Sequence, residues 1–310
     1  MAGISSPSAL QDRPTTFFLH RSPISRDQLI LLLVAVNQLF LAIDTYLVHV
    51  ANGTIRPREA VPIWFGLIAA AVLLLCGLLA RWNRPLAAGL ATIIFAGSVI
   101  VGVLGFLFHL QRGALPTAPV GQRLTLDLLI WAPPVFAPLA FIGVGMMGLS
   151  AAWWEQPIGS GVLNFGRFRL PLPLSKVRAY YLYVALGIAV AFVSATLDHA
   201  RHWHGGALWL PTLAGLFATV VAATMAIVDK PTRTDLWTYG LTMVGLIIVG
   251  MIGAWYHIQA DLTAESAFVL ERFLRGAPVL SPLLYSNMGL IGLVVLIPLR
   301  PSTIRERASK

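Results

Sequence analysis

Four of the seven histidines in this 310-residue chain stand at matching places. His49, His109, His199 and His257 each close an apolar stretch. Each is followed by a stretch that opens on proline: Pro62, then Pro133, Pro134 and Pro138, then Pro211, then Pro278 and Pro282. A neutral imidazole can bind a metal through one ring nitrogen while the other nitrogen fixes its orientation. Two imidazoles on opposite sides can complete the axial coordination of a haem b iron. Copper or zinc is the rival guest, because imidazole also suits those ions.

His109 and His257 share a longer pattern, Gly-x-x-Gly-x-x-x-His, through Gly102 and Gly105 in one case and Gly250 and Gly253 in the other. The spacing i, i+3, i+7 puts all three residues on one helix face. Such a notch serves close helix packing, or it admits a flat cofactor beside an axial imidazole. The haem reading pairs His109 with His257, with Gly105 and Gly253 against the cofactor, and makes His49 and His199 a second pair. The metal reading uses His49, His199, His202 and Asp44. His202 belongs to the segment Asp198-His199-Ala200-Arg201-His202-Trp203-His204, where a continuing helix would put His199 and His202 on one face. Asp44 lies inside an apolar stretch, where ionisable residues are costly and mark sites by default. Its expected roles are to orient a histidine, to carry protons or to bind a cation. Asn287 is expected to make an interhelical hydrogen bond. The methionines show no repeated Met-x-x-Met ladder, and the chain has no Walker loop, dinucleotide fingerprint, Gly-x-Ser-x-Gly or His-Glu-x-x-His.

The elements that must carry these residues follow from composition. The chain is 57% hydrophobic and 11% charged, with a mean hydropathy of +0.77. A soluble domain is nearer half apolar and a quarter charged. Eight stretches are long enough to cross a bilayer as helices: 29–50, 61–80, 87–110, 129–152, 178–197, 209–228, 236–258 and 279–299. The expected fold is an all-α integral membrane protein of eight transmembrane helices. The single cysteine, Cys76, excludes a disulfide framework and reads as a small core hydrophobe. Residues 1–28 lack the apolar region of a signal peptide.

Internal offsets organise the eight spans. His49 to His199 is 150 residues, Pro62 to Pro211 is 149, and His109 to His257 is 148. The reading is a tandem duplication of a four-helix unit, itself a duplicated helical hairpin, giving four hairpin repeats. The expected divisions are a segment 1–28, a first repeat 29–154, a linker 155–177, a second repeat 178–299 and a tail 300–310. Each half has an even number of spans, so the halves insert the same way round. If the odd-numbered spans form an inner ring, the four histidines converge near the outer surface. A short amphipathic helix is expected over 263–275, with Glu271 and Arg275 at i, i+4.

Charge sets the orientation. Fifteen of the 22 basic residues fall on the side of the termini, which places both termini in the cytoplasm of a multi-pass cell-membrane protein. Acidic residues divide six against seven, so the whole +9 surplus lies on that side. It reads as an orientation signal and a contact for anionic lipid, and no nucleic-acid partner is expected. The leading expectation is a haem or metal centre near the outer face, serving electron transfer or metal handling beside a periplasmic or extracellular partner. The alternatives are a parallel-repeat transporter of a small solute and a structural subunit without chemistry of its own.

Overall fold

The computed structural model describes residues 25–51, 53, 55–80, 82–200, 209–263 and 269–297. Six helices are long and apolar enough to cross a membrane: α1 (Arg26–Ala51), α2 (Pro57–Leu79), α3 (Arg84–Gly113), α6 (Lys176–His199), α7 (Trp209–Ile227) and α8 (Arg233–Thr263). Two shorter apolar helices are α5 (Leu139–Ala152) and α10 (Leu280–Val295). The short helices α4 (Leu126–Trp131) and α9 (Leu270–Arg275) lie in connections. The outward residues of the long helices are large and apolar: Trp64, Leu75, Ile93, Phe217 and Leu241 are each more than half exposed. A soluble protein does not present so much contiguous apolar surface to water. The helix composition fits a membrane-embedded protein.

Prolines explain the main departure from the expected spans. The stretch 129–152 is two helices, because Pro133 and Pro134 lack amide donors and force the preceding residue out of the helical region. Ala132 is extended, with φ −72° and ψ 169°, and α4 stops there. The expected helix over 263–275 is α9, which is confined to Leu270–Arg275 among the described residues. The connection 155–177 is not merely a linker. It holds a three-stranded antiparallel sheet, a departure from an all-α chain: β1 (Trp154–Glu155), β2 (Val162–Phe165) and β3 (Phe168–Pro171), in the order β1-β2-β3. Gly166, at φ +57°, turns the β2–β3 hairpin in a conformation that glycine adopts without cost.

Helix packing gives two rings of four. In the first, α1 packs on α2, α2 on α3, α3 on α5 and α5 back on α1. In the second, α6 packs on α7, α7 on α8, α8 on α10 and α10 back on α6. The rings meet through α5 against α6 and through α1 against α10. The helices between the halves are therefore α1, α5, α6 and α10, not the odd-numbered spans as a set. This corrects the expected inner ring: α3 and α8 lie across their own rings from α1 and α6.

The glycines allow this packing. A Cβ on Gly102 would stand 2.8 Å from Ile142 N and 2.9 Å from Pro138 O. A Cβ on Gly250 would stand 2.7 Å from both Ser286 N and Pro282 O. Backbone cannot yield to such contacts, so α3 and α5, like α8 and α10, approach as closely as they do only with glycine at those points.

Polar contacts tie the halves together. Asn37 and Asn287 exchange amide hydrogen bonds of 3.2 and 2.6 Å between α1 and α10, as expected for Asn287. At the end of the bundle that carries the sheet, the buried Lys176 donates to Asp27 Oδ2 and to Trp153 O, each at 2.7 Å. Tyr180 adds a hydroxyl hydrogen bond to Asp27 at 3.1 Å. Glu155 accepts from the amides of Gly161 and Lys176, pinning the sheet to the start of α6.

Candidate functional site

The four histidines His49, His109, His199 and His257 gather as two pairs, one in each ring. The imidazoles of His49 and His109 have centroids 6.2 Å apart, and those of His199 and His257 are 6.3 Å apart. Among the described histidines no ring contact joins the halves. The expected partnership of His109 with His257, and of His49 with His199, is thus replaced by pairing within each half. The reason is the ring order. His49 on α1 and His109 on α3 sit on helices diagonally opposed in one bundle, while α5 and α10 occupy the space towards the other half.

Proline placement fixes the imidazoles. His109 Nδ1 lies 2.9 Å from Pro134 O, and His257 Nδ1 lies 3.0 Å from Pro278 O. A carbonyl only accepts, so each Nδ1 carries the hydrogen and the neutral ring keeps its lone pair on Nε2. Each carbonyl also accepts a turn amide, Ala137 N on Pro134 O at 3.2 Å and Ser281 N on Pro278 O at 3.1 Å. His49 reaches the same tautomer inside its own helix, with Nδ1 2.7 Å from Thr45 O. Asp44 therefore does not orient His49; the backbone one turn earlier does. A partner of this kind on one nitrogen is what orients a metal-ligating histidine.

The glycine notches serve packing first. Pro138 fills the notch at Gly105 and Pro282 fills the one at Gly253, each with its Cβ 2.8 Å from the position of an added Cβ. Both glycines also border the cavity that runs through the two rings. That cavity measures about 1940 Å³ and is lined by all four histidines, by Asp44 and by Asp198. Single-ligand pockets run from roughly 300 to 1,000 Å³, so this one holds room for more than one bulky guest. Asp44 makes no hydrogen bond or ion pair with any described residue and stands in the cavity wall beside Asn37 and Leu41.

Each ring offers two imidazoles, the ligand number of a bis-histidine haem site and fewer than a structural zinc takes. Metal–imidazole bonds are about 2.0–2.1 Å for zinc, so two imidazoles on opposite sides of one metal centre have ring centres roughly 6 Å apart. The two histidine pairs have that separation. A bare structural or catalytic zinc takes three or four protein ligands. Among the described residues no group of three or more His, Cys, Asp or Glu is placed to hold an ion. His202, expected as a ligand, lies outside the described residues, as does His204.

Sequence reasoning missed the charged rim of the first ring. Arg112, one turn after His109, makes an ion pair of 3.0 Å with Glu59 at the start of α2. Arg58 lies over the ring of Phe108, with its guanidinium carbon 5.5 Å from the centroid. The readable signal was the i, i+3 spacing of His109 and Arg112 together with an Arg-Glu pair just ahead of Pro62. Compared with known proteins, the chain matches no family model, no curated protein and no solved structure.

Proposed function

We propose that this chain is an eight-span membrane haem protein built by tandem duplication, with a bis-histidine site in each half near the outer face and both termini in the cytoplasm. One observation carries the reading: in each half two imidazoles have ring centres 6.2 and 6.3 Å apart respectively, and one of the two is held through Nδ1 by a proline carbonyl. Ligand sites built from facing helices inside a four-helix bundle are a recurrent design. His49 and His109 would hold one haem, and His199 and His257 the other. Bound haem would supply one-electron chemistry, which makes electron transfer with a periplasmic or extracellular partner the role that fits best.

The duplication is supported by contacts that repeat at nearly constant offsets. Gly102 on Pro138 corresponds to Gly250 on Pro282, and Gly145 against Phe95 O corresponds to Gly289 against Met243 O. The orientation is supported by the basic surplus and by exposed tryptophans at helix ends, among them Trp64, Trp82, Trp131 and Trp255.

Absorption spectra of the purified protein, oxidised and dithionite-reduced, together with iron, copper and zinc analysis, test this. A Soret band with reduced α and β bands is the expected result. A colourless protein without iron after expression with haem supplied would overturn it.

A second reading is favoured by Asp44, which faces the cavity without a partner. It is a small-solute transporter in which this carboxyl moves a proton or cation. Uptake that is lost in Asp44→Asn by a haem-free protein would select it.

A further inference from the structure

We propose that the rim of the first ring is a receptor for the paired carboxylates of a haem, with Arg58 and Arg112 as the anchoring cations, and that the matching places in the second half carry no such pair. This rests on the haem reading above.

Arg58 lies in the first turn of α2. Its guanidinium faces the Phe108 ring and makes no hydrogen bond or ion pair with any described residue. Arg112 stands opposite, on the last turn of α3. Only its Nη1 is engaged, by Glu59 Oε1 at 3.0 Å. Glu59 is itself held, because its other oxygen accepts the Arg56 amide at 2.9 Å. Glu59 thus positions Arg112 without exhausting it, since a guanidinium has five N–H donors. The Arg112 side chain is 42% exposed, which leaves those donors open to a ligand. Arg58, Arg112, Phe108 and His109 all border the cavity that also contains His49. Two guanidinium groups against one carboxylate leave a net positive rim. An apolar macrocycle between the histidines, with acidic side chains at that rim, matches both chemistries. Guanidinium–carboxylate pairs are short, strong and directional.

The second half departs from this. At the repeat offsets of 149 and 148 residues, Arg58 corresponds to Ala207 and Arg112 to Ala260. Each pair has one imidazole held by a proline carbonyl, but only the first half has arginines at these places. The first site is then selective for a haem with free acids, and the second has alanine at the two matching places. An anionic lipid phosphate offers charge of the same kind, and the experiment separates the two.

The test uses the full-length His199→Ala/His257→Ala variant, which leaves only the first site, in nanodiscs of phosphatidylcholine. Haem b and its dimethyl ester are titrated and binding is read from the Soret band. The expected result is haem binding roughly tenfold or more tighter than the ester. Adding Arg58→Gln and Arg112→Gln should remove that preference while ester binding stays as it was, which also shows that the site is still folded. Arg58→Lys with Arg112→Lys should restore part of it, because lysine keeps the charge but not the fork. Equal affinity for haem and ester in the parent would overturn the proposal alone. Loss of the preference on adding phosphatidylglycerol would overturn it by assigning the cations to lipid. No Soret band with either guest would overturn the haem reading and this proposal with it.

Discussion

The two halves use the same scaffold and differ at the mouth. In both, a histidine on the first helix faces a histidine on the third, and a proline carbonyl holds the second imidazole. In both, glycine on the third helix meets proline on the fourth. The halves part where side chains meet the cavity rather than each other. The first half has Asp44, where the repeat offset of 150 gives Ser194, and it has the guanidinium rim. The lesson is that the close approach of glycine to a facing backbone recurs while the side chains around it vary, Ile142 in one half and Ser286 in the other.

The largest break in this comparison comes from the histidines. If the proposed haem sites exist, His109→Ala and His257→Ala should each remove about half of the haem, and the double variant all of it, measured as haem per chain by pyridine haemochrome. Loss of all haem from either single variant would mean one shared site in place of two.

Next in size is the tie at the sheet end, where Lys176 on α6 meets Asp27 on α1. Lys176→Met leaves Asp27 beside the buried Arg26 and Tyr180 without its ammonium partner. Breaking a buried ion pair from one side costs roughly 3–5 kcal/mol. Asp27 keeps 23% exposure, so a value at or below the lower end is expected. Thermal unfolding in detergent measures it, and the added Asp27→Asn change should recover part of the loss. Stability unchanged in Lys176→Met would show that this ion pair does not help to hold the halves together.

Smaller effects test the equivalence of the copies. Gly102→Ala and Gly250→Ala each drive a methyl group against backbone and should each lower stability by about 1–3 kcal/mol, by similar amounts. Gly77→Ala, where an added Cβ meets nothing within 4 Å, is the control and should be neutral or mildly stabilising. Unequal penalties at the two glycines would show that the rings are packed differently. The smallest effect expected is the Asn37–Asn287 coupling. Side-chain hydrogen bonds between membrane helices average about 0.6 kcal/mol in double-mutant cycles. A cycle through Asn37→Leu and Asn287→Leu should return a coupling of that order.

Much of this was legible in the chain. Apolar length located the helices, since a helix must satisfy its own backbone in lipid. Constant offsets between His49 and His199, and between His109 and His257, exposed the matching positions. The break in the fourth span was less legible. Pro133-Pro134 announces it, but a mean hydropathy over 129–152 hides it. Glu59 and Arg112 lie 53 residues apart, so their ion pair has no local signature.

The sequence by itself determined which residues lie on one helix face and at one depth, because both follow from helical rise and periodicity. It also pointed to like surroundings for His109 and His257, because each is followed by prolines that precede a later apolar helix. Only the tertiary structure decided which histidines meet. Periodicity names a face but not the helix that covers it. Two rings closed by α5 and α10 turned four equivalent histidines into two pairs within the halves instead of two across them.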